Sequence, residues 1–73
     1  MELYEKLYEL RRASGMSQEE LAEKLGVSRQ SVSKWEMDQA IPQIDKVLLL
    51  CELFSVSCDA LLREDADIFG EKR

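Results

Sequence analysis

Gln30, Ser33 and Lys34 stand at spacings of three and four from Gln30, and with Met37 they fall on one face of any helix that begins after Ser28. An amide, a hydroxyl and an ammonium on one face can donate hydrogen bonds, accept them and neutralise an anion, which is the chemistry of a binding surface. The same face also fits a helix that simply meets solvent. Covalent or metal chemistry finds little support in the rest of the chain. There is no histidine, and Cys51 and Cys58 are the two cysteines, so a four-ligand zinc site of the common Cys/His kinds cannot be assembled. No glycine-rich phosphate loop and no nucleophile–base pairing is visible. The chain is therefore read as a non-enzyme with no metal and no cofactor.

That face has to be held by other elements. Val32, Trp35 and Glu36 share its opposite side, so the helix from about Ser28 to Asp38 has one anchored and one open face, with Ser28 as N-cap. Before it, Leu3, Leu7 and Leu10 recur at i, i+4 and i+7 and predict a first helix ending near Ser14, with Gly15 as its left-handed cap. Tyr4 and Tyr8 fall towards an exposed edge of that helix and receive no function. Ser17-Gln18-Glu19-Glu20 matches a capping box and starts a second helix, whose core residues are Leu21, Ala22 and Leu25 and which stops at Gly26. Ile41-Pro42 breaks the chain, and Pro42 suits the first turn of a fourth helix in which Ile44, Val47, Leu48, Leu50, Cys51 and Phe54 suit burial. Ser57 caps a short fifth helix carrying Leu61 and Leu62. No strand-like alternation and no repeat appears. The fold class is all-α: a compact five-helix domain over residues 1–63, followed by a charged, frayed tail over 64–73.

The run from Gln18 to Glu36, QEELAEKLGVSRQSVSKWE, resembles the helix-turn-helix of the Cro/phage-repressor (XRE-like) family. Each fixed position has a physical reason. Ala22 must be small where two helices cross closely, Gly26 makes the tight turn, and Val32 and Trp35 anchor the second helix on the first. The resemblance reaches outward to Arg11 and Gly15, and to Ile41-Pro42, Phe54 and Val56-Ser57, and so covers about residues 3–62. It implies a lambda-repressor-like arrangement in which the helix at 28–38 enters the major groove of double-stranded DNA, as a homodimer on a near-palindromic operator. Carried over by position, Arg29, Gln30, Ser33 and Lys34 become base-reading candidates. Ser17, Gln18 and Ser28 become phosphate contacts, helped at Ser17 and Gln18 by the free amides of a helix start. Arg11 and Glu36 would form an ion pair between the first and third helices, and the inward placement of Glu36 agrees. Asp38 tolerates a left-handed backbone, but its charge would repel phosphate if it faced DNA.

Composition is compatible with this reading once charge is located. With 45% hydrophobic and 34% charged residues the chain suits a folded globule, and at 73 residues it suits one domain. The net charge of −5 argues against a polyanionic partner. Between Arg11 and Lys34, however, five bases face three acids, and the acid is concentrated at the two ends. No apolar run is long enough to span a bilayer and the first residues lack a secretory pattern, so a cytoplasmic location and no membrane partner are expected. Cys51 and Cys58 could form one disulfide, but each lies in an apolar helical pattern and no other sign of secretion appears, so both are expected to be buried free thiols.

Two functions of different classes follow. The leading one is a sequence-specific DNA-binding transcriptional regulator. The other is a protein-interaction module that keeps the fold with little DNA affinity, its acidic ends engaging a partner. A chain of this length leaves no room for an effector domain, so either a minimal regulator or a piece of a longer protein is expected.

Overall fold

The computed structural model describes residues 1–65, and among them it holds five helices and no strand. These are α1 (Leu3–Ala13), α2 (Gln18–Leu25), α3 (Arg29–Glu36), α4 (Ile44–Phe54) and α5 (Cys58–Leu62). Most of the tail expected from residue 64 onward lies outside the described residues.

Each helix starts and stops for local reasons. At α2 the capping box is complete: the Glu20 amide donates to Ser17 Oγ at 3.0 Å, and the Ser17 amide donates to Glu20 Oε1 at 2.8 Å. Ser28 and Ser57 cap α3 and α5 by accepting from the amides of Ser31 and Ala60. The first four helices end on a left-handed residue, at Gly15, Gly26, Asp38 and Ser55. After each, the next amide donates back five residues: Met16 to Arg11, Val27 to Ala22, Gln39 to Lys34 and Val56 to Cys51. At Gly26 the need is conformational rather than spatial. Its φ is +73°, yet a Cβ there would meet nothing within 4 Å. Asp38 closes α3 in the same way without a glycine. Helix three therefore ends at Glu36, shorter than the 28–38 expected, with Ser28 as its cap and Met37 and Asp38 in the turn beyond it.

Packing follows the apolar stripes. α2 lies on α3 and α4, α1 lies on α3 and α5, and α4 lies on α5. Leu7 and Leu10 of α1, Leu21 and Leu25 of α2, and Val32 and Trp35 of α3 are all buried, and Ala22 is buried among them. Helix α4 departs from expectation twice. It begins at Ile44 with Gln43 as its cap, so Pro42 precedes the helix instead of filling its first turn, and is itself buried. Ile44 and Leu48 are exposed, at 68% and 54%, whereas Val47, Leu50 and Cys51 are buried. The inward stripe is Val47, Leu50, Cys51 and the half-buried Phe54, spaced i, i+3, i+4 and i+7. A domain of this size covers α4 on that side alone, which also leaves Leu49 and Leu53 exposed. On α5, Leu61 is buried and Leu62 is exposed. Both cysteines are free, but only Cys51 is buried; Cys58 is half-buried, a correction to the expected pair of buried thiols. On α1, Tyr8 is exposed as expected, whereas Tyr4 is half-buried.

Lys6 is the residue the apolar pattern concealed. It is 0% exposed, and its ammonium donates to the carbonyl oxygens of Ala60, at 2.6 Å, and of Arg63. A lysine is buried this completely only when its charge is satisfied, and here the carbonyl end of α5 satisfies it. Lys6→Met keeps the stem packed but removes both donors. It is expected to lower stability by about 2 kcal/mol and the melting temperature by about 10 °C, and thermal unfolding followed by circular dichroism checks this. An unchanged midpoint would show that Lys6 does not tie α1 to α5.

Candidate nucleic-acid interface

The outward side of α3 is built by what its inward side does. Val32 is 0% and Trp35 6% exposed, so the helix cannot rotate about its axis without unburying them. Two residues from Val32 on either side, Gln30 and Lys34 project as exposed side chains away from the anchors, Arg29 is exposed at the start of the helix, and Ser33 is half-buried beside them with its hydroxyl 3.9 Å from Met37 Sδ. Ser28 lies exposed at the start of α3 and Ser17 at the start of α2. The base-reading candidates Arg29, Gln30 and Lys34 thus share one open surface, with Ser33 at its margin.

One network holds that surface to the rest of the domain. Arg11 Nε donates to Glu36 Oε2 at 2.7 Å and Arg11 Nη2 donates to Glu36 Oε1 at 3.0 Å, a two-pronged pair with its side chains 11% and 4% exposed. Arg11 Nη1 donates to the Met16 carbonyl at 2.8 Å, which fixes the turn into α2. The hydrogen bonds to Glu36 push the Arg11 pKa above its already high ordinary value, against the opposing effect of burial, so the guanidinium stays charged. The expected Arg11–Glu36 link between α1 and α3 is present.

The network continues through a residue expected to serve elsewhere. Gln18 Nε2 donates to Glu36 Oε1 at 3.0 Å, and Gln18 Oε1 accepts from Arg29 Nη1 at 3.2 Å. Gln18 therefore spans from the buried ion pair to the first residue of α3, with its oxygen and one amide hydrogen already committed. The sequence reading placed Gln18 at a phosphate and missed this bridge. The contact is between two loop-flanking positions 18 residues apart, and no local spacing announces it. The start of α2 is also less positive than a bare helix terminus, because Glu19 and Glu20 occupy its first turn and Glu20 takes the Ser17 amide. The Ser17 hydroxyl accepts from Glu20 and keeps its own hydrogen to donate.

Comparison with known proteins bears on what such a surface is for. A helix-turn-helix family model matches residues 7–61, from the middle of α1 into α5. The chain belongs to the helix-turn-helix family. This helix-turn-helix chain is 44% identical over 62 residues to the HTH-type transcriptional activator BcrR of Enterococcus faecalis, covering 85% of this chain and 30% of BcrR. It is 40% identical over 65 residues to the HTH-type transcriptional regulator ImmR of Bacillus subtilis (strain 168), covering 89% of this chain and 51% of ImmR. The chain thus spans about a third to a half of the length of these relatives. Among solved structures it is similar to the P22 c2 repressor in complex with synthetic operator 9T, with a TM-score of 0.82 and 28% identity, over 89% of this chain and 98% of that one. The Cro/phage-repressor kind and the five-helix all-α class expected from residues 18–36 and the helix stripes both stand. Among the described residues of this helix-turn-helix domain, no helix is long and apolar enough to cross a membrane.

Proposed function

We propose that this helix-turn-helix domain is the DNA-binding part of a transcriptional regulator, and that it inserts α3 into the major groove. The observation that carries the reading is the pairing of an anchored inner face with an open polar outer face on α3, in a chain similar to a repressor solved on its operator. Gln30 reads a base edge, since its amide can donate and accept together, and Arg29, Ser33 and Lys34 flank it on the same face. Ser17 and Ser28 contact phosphate through their hydroxyls; that of Ser17 keeps its own hydrogen to donate, and that of Ser28 is paired with Ser31 Oγ at 3.1 Å. Gln18 contributes there through its remaining amide hydrogen and backbone, and otherwise orients Arg29. Two copies bind a near-palindromic operator through the region of α4 and α5, where Leu48, Leu49 and Leu53 are exposed, and this sets successive recognition helices about 34 Å apart. The domain works in the cytoplasm and catalyses nothing itself.

Selection of bound duplexes from a random pool tests this. A half-palindromic consensus with two half-sites one helical turn apart is expected. On the selected duplex, Lys34→Ala is expected to flatten the dependence of log K on log salt by about one unit, as loss of one phosphate contact does. The acidic residues Glu19, Glu20 and Asp38 near the surface favour the second reading, an interaction module with little DNA affinity. A pool that yields no consensus, with no salt-dependent binding to random duplex, would establish that reading instead.

A further inference from the structure

Of the two arginines that close α1, Arg11 spends its charge on the buried Glu36. Arg12 does not. Among the described residues Arg12 makes no ion pair, although Glu9 stands three residues before it on the same helix. Its guanidinium is nonetheless held in place. Arg12 Nη1 donates to the Tyr8 hydroxyl at 2.6 Å, one helical turn back, and Arg12 Cζ lies 5.5 Å from the centre of the Tyr8 ring. The same ring lies 5.5 Å from Arg11 Cζ. Arg11 donates to Glu36, and Gln18 donates to that same carboxylate. Tyr8 therefore stands beside the network that holds α3, and it links Arg12 to the edge of the α2–α3 surface.

Resting on the DNA-binding role proposed for α3, we propose that Arg12 and Tyr8 form a site on α1 for one backbone phosphate of the bound duplex. The pair is a fixed fork with donors to spare. Its bond to Tyr8 uses one of the five guanidinium N–H groups and leaves four. A phenol accepts that bond without cancelling the positive charge, as a carboxylate would. The Tyr8 hydroxyl accepts through its oxygen and keeps its own hydrogen to donate, so one phosphate can take hydrogen bonds from both side chains. Because the tether and the ring fix the guanidinium before an anion arrives, less side-chain entropy is lost on binding than from an untethered arginine. Both side chains are exposed, Tyr8 at 39%, and an anion reaches them without movement of the fold. A phosphate contact carries no sequence information. In a chain of net charge −5, one more base left free for phosphate adds to affinity for any duplex.

The test titrates the 73-residue chain and its variants on the selected duplex and on a scrambled one, by fluorescence anisotropy at several salt concentrations. For each bound chain, Arg12→Ala is expected to flatten the slope of log K against log salt by about one unit, and to weaken both duplexes alike by about fivefold in about 0.15 M salt. Arg12→Lys should keep the slope. Tyr8→Phe, which retains ring and charge but not the hydroxyl, should weaken both duplexes less than Arg12→Ala does. Circular dichroism confirms that each variant is folded. A scan of single neutral methylphosphonates then locates the contact: one position should cost the parent affinity and cost Arg12→Ala nothing. Unchanged slope and affinity in Arg12→Ala would make Arg12 a solvated charge and overturn the site. A flattened slope with every methylphosphonate costing both proteins alike would overturn it too, since Arg12 would then act only through the general field. So would a larger loss on the selected duplex than on the scrambled one, the mark of a base contact. A parent chain that binds neither duplex at low salt would remove the DNA-binding role itself, and the site with it.

Discussion

Arg11→Met is expected to destabilise the domain by about 3–5 kcal/mol, the cost of removing one partner from a buried ion pair. The reason is what stays behind. Glu36 is 4% exposed at its side chain, and without Arg11 its carboxylate keeps one hydrogen bond, from Gln18. Small domains have only about 5–15 kcal/mol of stability in total, so this substitution brings the folded state close to the unfolding midpoint at ordinary temperatures. Glu36→Gln is expected to cost somewhat less, because the stranded guanidinium retains its bond to the Met16 carbonyl and a path to solvent. The double variant Arg11→Met/Glu36→Leu separates the two sources of loss. If the damage comes from an uncompensated charge, an apolar pair of similar size should regain most of the stability. Chemical denaturation of the three variants is the measurement. Single variants as stable as the parent would show that the pair contributes nothing, and a double variant no better than Arg11→Met would point to lost geometry in place of stranded charge.

For Gln30 the expected result concerns discrimination and not stability. Gln30→Ala should lower affinity for the selected operator by about 1–3 kcal/mol, roughly 5- to 150-fold, while leaving affinity for scrambled duplex almost unchanged. The side chain is exposed on α3, two residues before the buried Val32, and its removal uncovers no core. A bidentate amide–adenine contact is lost only where the correct base is present, whereas a phosphate contact is lost on every sequence. Fluorescence titrations of parent and variant on operator and scrambled duplex give the ratio directly. Should that ratio stay constant, Gln30 would not be the residue that reads sequence, and Arg29 would be the next position to test. Arg29 differs from Gln30 in one physical respect: it is tied through Gln18 to Glu36, so its substitution also perturbs the network behind the helix.

What the sequence by itself determined is what physical chemistry decides within about one helical turn. The capping box at Ser17 and Glu20, the caps at Ser28 and Ser57, the left-handed residues at Gly15 and Gly26, and the stripes Leu7/Leu10 and Val32/Trp35 all depend on neighbours three to five residues away, and all are present. Because Val32 and Trp35 point inward, Gln30 and Lys34 had to point outward, and so the open face was legible before any coordinates. The Arg11–Glu36 pair, 25 residues apart, was legible only through the resemblance of the motif to a known family. Tertiary structure alone decided the rest. Lys6 sits among Leu3, Leu7 and Leu10 at helical spacing and could have been flagged as a charge inside an apolar stripe, but its partners are carbonyls 54 and 57 residues away. The apolar residues of α4 outnumber one buried face, and only the placement of α2 and α5 chose Val47, Leu50 and Cys51 over Ile44 and Leu48. Gln18 reads locally as a helix-start residue facing an anion, yet the packing of α2 on α3 puts Glu36 and Arg29 within its reach and commits it to them. In each case the deciding energy is a contact between segments far apart in the chain, and no local periodicity carries that information.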